Sequence, residues 1–175
     1  MKRNRKLVIN SCIITILLFC FYYFGGYFFS QEECIYDTVR GLYGNEFNIV
    51  MDFQKDNIYR TLLVDDNHET TSMVGTRKTG FLYQTAGSIV GHEIKKDHSI
   101  EILGEWSRDF GMLLVLYRNT EEVEKVMVQL EDGTNLQFDD WKQNFSGQQI
   151  DLDNWYNGAY EVYNSNNELI EVIEY

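Results

Sequence analysis

The chain has 175 residues, 15 basic against 27 acidic, and a formal net charge of −12. Four of the basic residues, Lys2, Arg3, Arg5 and Lys6, precede position 7, so the remainder carries −16. Binding of nucleic acid needs basic surface to displace counterions from phosphate, so this balance argues against such a partner. A hydrophobic content of 44% argues against disorder, and the absence of proline rules out collagen and polyproline stalks.

The first element is a charge-free run from Leu7 to Phe29, in which Asn10, Ser11 and Thr15 are the clearly polar residues. As one helix it would reach roughly 34 Å, against about 30 Å of hydrocarbon in a bilayer. Its outer half is aromatic (Phe19, Phe21, Tyr22, Tyr23, Phe24, Tyr27, Phe28, Phe29), as suits a membrane–water boundary. Basic residues precede the run, whereas Gln31, Glu32 and Glu33 follow it. The positive-inside rule therefore predicts a cytoplasmic N-terminus and an extracytoplasmic remainder. A cleaved signal would want a small residue where Phe28 stands, so an uncleaved anchor is expected. Cys12 and Cys20 lie inside the apolar run, which does not match a lipoprotein. Gly25 and Gly26 are adjacent and lack the four-residue spacing of a helix-dimer motif. Outside the run only Cys34 remains, leaving no internal disulfide; it is expected to be an unpaired, half-buried thiol, with pairing to a second copy as the alternative.

After Ser30 the chain is acidic and shows short alternating runs. Ile35, Val39 and Leu42 stand at helical spacing, predicting that Gln31 to Tyr43 continues the membrane helix for two or three turns. Residues 46–53 alternate, with Phe47, Ile49, Met51 and Phe53 expected on one face. A second strand is expected over 57–64 after the turn at Lys55–Asn57, closed by the polar loop Asp65–His68. Residues 80–90 read as a strand pair broken at Ala86–Ser88, with Phe81, Tyr83 and Ile89 as core candidates. The polar stretch 91–110 reads as an internal boundary.

Beyond it, Gly111–Tyr117 is a nearly continuous apolar strand. Residues 123–130 alternate, with Val126, Val128 and Leu130 inward. Asp132–Gly133 supplies a hairpin turn before a return strand at 135–138. Residues 159–163 and 169–175 form a terminal hairpin around Asn164–Asn167, with Leu169, Glu171, Ile173 and Tyr175 on one side. No helical runs separate these strands, as a βαβ arrangement would require. The stretch from Gly111 through Glu131-Asp132-Gly133-Thr134, with the closing hairpin Tyr160 to Ile170, resembles the C-terminal half of small exported or membrane-anchored β-rich proteins of Gram-positive bacteria. The closing pattern has Asn166 and Asn167 where those proteins carry a glycine. The resemblance implies location and a β fold, and it transfers no catalytic residue.

Candidate chemistry is sparse. His92-Glu93 opens like a zinc-protease motif, but Lys96 stands where the second histidine belongs, and His98 is not at a ligand spacing. Gly87-Ser88 lacks the glycine pattern of a nucleophile elbow. Acidic groups at Asp65, Asp66 and Glu69, at Asp139 and Asp140, and at Asp151, Asp153 and Asn154 offer calcium ligands in principle. The last group has Tyr156 where a calcium loop needs glycine. Trp106, Trp141 and Trp155 read as caps on a small core, with a contact platform as the alternative.

The expected fold is mainly β with an N-terminal transmembrane helix and an external antiparallel sandwich-like domain, with two small β-rich subdomains as the alternative. The divisions are a basic tail (1–6), a transmembrane helix (7–29), a β-rich part with a juxtamembrane helix (30–109) and a C-terminal sandwich-like part (110–175). The expected role is that of a single-pass membrane protein with a non-catalytic extracytoplasmic interaction or accessory module. Its expected partners are the membrane and a protein of the membrane or envelope. The alternative is a metal-assisted or carboxylate-based hydrolase using Asp139, Asp140, Asp151 and Asp153. No catalytic, cofactor-binding or metal-ligating residue is assigned.

Overall fold

A computed structural model describes residues 2–43, 47–107, 109–130, 133–150 and 159–174. The chain opens with helix α1 (Lys2–Phe24), then strand β1 (Tyr27–Phe28) and helix α2 (Gln31–Tyr43). Strands follow: β2 (Phe47–Lys55), β3 (Ile58–Asp65), β4 (Thr70–Thr79), β5 (Leu82–Glu93), β6 (Ile100–Ser107) and β7 (Gly111–Arg118). The remainder comprises β8 (Lys125–Gln129), β9 (Asn135–Phe138), β10 (Phe145–Ile150), β11 (Ala159–Tyr163) and β12 (Leu169–Glu174). The fold is mainly β, and every strand pairing among the described residues is antiparallel.

The apolar N-terminal run is not a single helix to Phe29. Gly26 adopts a φ of 64°, a left-handed conformation that glycine takes without steric cost, and the chain turns there. Tyr27 and Phe28 then pair with Gln84 and Tyr83 at the edge of the first sheet. The charge-free part of α1 thus runs from Leu7 to Phe24, about 27 Å. Among the described residues, no helix is long and apolar enough to cross a membrane. Nor does α2 continue α1: it is a separate helix whose first turn is capped by Ser30, whose Oγ accepts the Glu33 N–H at 3.1 Å.

Three sheets stack with α2 in four layers. The first sheet has the order β1-β5-β4-β3-β2, the middle one β10-β7-β6, and the third β12-β11-β8-β9. On one face of the first sheet, Leu63 and Val74 pack against Ile35 and Val39 of α2. On its other face, Ile58, Leu62, Val64 and Met73 meet Leu113, Val115, Tyr117 and Phe145 of the middle sheet. The opposite side of that middle sheet, with Ile100, Met112, Leu114 and Leu116, packs on Val126, Val128, Phe138, Tyr160, Val162 and Ile173 of the third. Strand β7 is therefore buried on both faces, which is why its apolar run is continuous rather than alternating. The division expected between residues 109 and 110 falls inside the β6–β7 hairpin, whose register runs from Ile100–Arg118 to Ser107–Gly111.

Several expectations on the strands need correction. A bulge in β2 between Ile49 and Met51 shifts the pairing by one residue. The extra residue switches faces, so Phe47 packs beside α2 while Met51 and Phe53 face the middle sheet. Ile49 is left 47% exposed. The expected strand pair over 80–90 is one long strand, β5, lying between β1 and β4, and two of the expected core residues, Phe81 (72%) and Ile89 (46%), are exposed. Strand β6 occupies the stretch expected to be a boundary. Strand β10 was not expected, and it pairs with β7 from Met112 to Tyr117.

Candidate functional site

The sequence candidates scatter. His92 Nε2 lies 3.3 Å from Glu101 Oε1, on the side of β6 that faces the first sheet. His98, at the entry to β6, reaches Glu171 of β12 instead, Nδ1 to Oε1 at 2.8 Å. Asp65 closes its own loop, with Oδ1 accepting the N–H groups of Glu69 and Thr70 at 2.8 and 3.0 Å. Asp139 and Asp140 are exposed, and no histidine lines the cleft they border. Asp151, Asp153, Asn154, Trp155 and Tyr156 lie outside the described residues. Among the described residues, no group of three potential ligands could hold a metal ion. Trp141 packs against the core between the middle and third sheets, donates Nε1–H to Glu124 O at 2.8 Å and lies under the Arg118 guanidinium. It serves as a cap.

A cleft of about 360 Å³ opens between β2 and β10, lined among others by Met51, Asp52, Phe53, Asp139, Asp140 and Lys142. Asp52 is engaged: it accepts from Gln31 Nε2 at 3.1 Å and from the Thr61 hydroxyl. These bonds moor the start of α2 to the first sheet, which makes Asp52 a structural carboxylate.

Cys34, on the side of α2 that meets β5, is fully buried and is a free thiol. It is more deeply buried than the half-buried thiol expected. Burial pushes the thiol above its ordinary value, offset in part by the Thr85 hydroxyl 3.6 Å away.

Glu171 joins the third sheet to the middle one. Burial pushes its carboxyl up, but the hydroxyl and backbone N–H of Ser99, together with His98, outweigh this and hold it below the ordinary value. A group depressed on folding adds stability above its unfolded value, and that stability is lost as pH falls through the folded one. Glu171→Gln should therefore leave the wild-type and variant midpoints of denaturation separated at pH 7 and converging as pH falls through and below the ordinary carboxylate range. Denaturant titrations across that range check this; a pH-independent gap would show that the carboxylate's charge is not what matters.

The largest unexplained surface lies at the other end of the chain. Along α1, every described side chain from Val8 to Cys20 is exposed, including Val8 (62%), Leu17 (62%) and Phe19 (64%). A helix apolar all round has no face suited to water. Its end is joined to the sheets by an aromatic series. The Tyr22 and Phe29 rings stack at 4.7 Å, and Phe29 and Phe81 lie 6.3 Å apart and nearly parallel. Sequence reasoning found the apolar run but not this join, since neither the β1–β5 pairing nor the position of Phe81 leaves a local pattern.

No family model, curated protein or solved structure matches the chain.

Proposed function

We propose that the protein is held in a membrane by α1 and presents its stacked sheets outside the cytoplasm as a non-catalytic interaction module. The single observation that carries this reading is the exposed helix, along which Val8, Ile13, Ile14, Ile16, Leu17 and Leu18 are each at least 50% open to solvent. Burying that surface in lipid is favourable by roughly 25 cal/mol per Å², and α1 offers it on every side. The charge-free part is somewhat shorter than a typical hydrocarbon core, a mismatch that local thinning of the bilayer absorbs at modest cost. Lys2, Arg3, Arg5 and Lys6 orient the helix, and the surplus of carboxylates beyond it favours partners with basic surfaces.

The full chain should stay with membranes through alkaline carbonate washing. A cysteine placed at exposed Asp66 should react in intact cells with a maleimide that cannot cross membranes. Ile14→Asp combined with Leu17→Asp should shift the chain to the soluble fraction, since each aspartate costs about 3 kcal/mol near the middle of an inserted helix. Recovery of the unaltered chain in the soluble fraction, or labelling of residue 66 only after lysis, would refute the proposal.

A further inference from the structure

The tip of the β4–β5 hairpin carries Phe81 with 72% of its surface exposed, the highest value among the large exposed apolar side chains described. Nothing about the turn requires an aromatic there, since Gly80 takes the left-handed position with a φ of 63°. Isolated exposed apolar residues are ordinary, but Phe81 is not isolated. Phe29, itself 60% exposed, lies between it and Tyr22 on the last turn of α1. Strand β1 runs from Gln84 towards Tyr83, and so towards the hairpin tip, which sets Phe81 beside the end of the helix rather than beyond it. Lys78, poised 5.5 Å over the Tyr83 ring, stands on the same hairpin. The β2–β3 turn reaches this end too, because Lys78 N–H donates to Asn57 O at 2.8 Å, and it brings Lys55 with it. Rings with lysines at their margin are the composition of a membrane–water boundary, where rings sink below the headgroups and ammonium groups stay wet.

We infer that the β4–β5 hairpin tip is a second membrane contact, with Phe81 and Phe29 inserted into the lipid interface beside α1. The inference rests on the membrane reading of α1. The contact fills the outer margin that the shortened helix leaves uncovered, and it fixes the first sheet against the bilayer with the hairpin side down. The occupant is the glycerol and upper acyl region of the bilayer rather than an anionic headgroup. Glu32 and Glu33 at the start of α2 lie close by in the chain and would oppose an anionic surface.

The test uses the full chain with Cys12→Ser and Cys20→Ser, Cys34 being sealed in the core, reconstituted in phosphatidylcholine vesicles. An environment-sensitive fluorophore is placed in turn at Phe81→Cys, Thr79→Cys, Leu18→Cys and Asp66→Cys. Probes at 81 and 79 should be blue-shifted relative to 66, quenched by lipids bearing a nitroxide near the headgroup, and shielded several-fold from aqueous iodide. If the probe at 18 is in lipid while those at 81 and 79 are as open to iodide as 66, the hairpin stands clear of the membrane. The inference then fails while the anchor stands. If the probe at 18 is itself open to iodide, the helix is not inserted, and both readings fall.

Discussion

Gly75→Ala is expected to lower stability by on the order of 3 kcal/mol or more, a fall of roughly 6–12 °C in Tm. Arg60 pairs with Gly75 across β3 and β4, and its buried guanidinium lies over that glycine to donate from Nη1 to Ala86 O on β5 at 2.9 Å. A methyl group at position 75 would stand 1.6 Å from Nη1, 2.5 Å from Gly87 O and 2.6 Å from Ala86 O. The guanidinium can swing away only by giving up an acceptor inside the core, beside Phe110. The two carbonyls belong to the backbone of β5, where its pairing with β4 shifts register between Val74 and Thr76, and as main-chain atoms they can yield only by moving the strand. Arg60→Met in the Gly75→Ala background should therefore recover only part of the loss. Thermal melts of the single and double variants check both statements, and a Gly75→Ala chain as stable as the parent would show that the arginine does not cross at this point.

Leu113→Ala and Leu114→Ala should each cost about 2–5 kcal/mol, and each should weaken all three sheets together. The two residues are neighbours in β7, both 1% exposed, yet they face different cores. If the stack unfolds as one unit, a cavity on either side lowers a single transition seen identically by far-ultraviolet dichroism and by tryptophan emission. Two separated transitions, with Leu113→Ala moving one and Leu114→Ala the other, would reveal two independent bodies. The register of β6 on β7 across residue 109 speaks for one unit.

Much of this architecture could be read from residues, and its failures have specific physical causes. The pattern of Val126, Val128 and Leu130 placed β8 correctly because one face meets a core and the other meets water. Gly133, with a φ of 85°, turns the β8–β9 hairpin where the sequence put a turn. Strand β4, buried on both faces, was missed because its buried residues include Thr71, Ser72 and Thr76, whose hydroxyls read as loop although β-branched threonine suits a strand. Strand β10 was missed because Gly147 and two glutamines interrupt its apolar pattern. The bulge in β2 could not be seen at all, since one unpaired residue changes which side chains face inward without altering composition. As for function, the apolar helix was legible because it violates the rule for soluble helices. The junction at Phe29 and Phe81 was not, because it depends on a pairing between residues more than fifty positions apart.

Strand β12 lies at the rim of the third sheet, with Leu169 (53%), Ile170 (40%) and Val172 (48%) open to solvent. Such a rim invites a twin molecule to add its own rim and continue the ladder. Glu168 and Glu174 stand at either end of this stretch, so zippering two antiparallel copies together would bring carboxylate against carboxylate. The acid surplus that first distinguished the chain by its composition thus also works as a colloidal guard, keeping neighbouring copies from fusing into fibres.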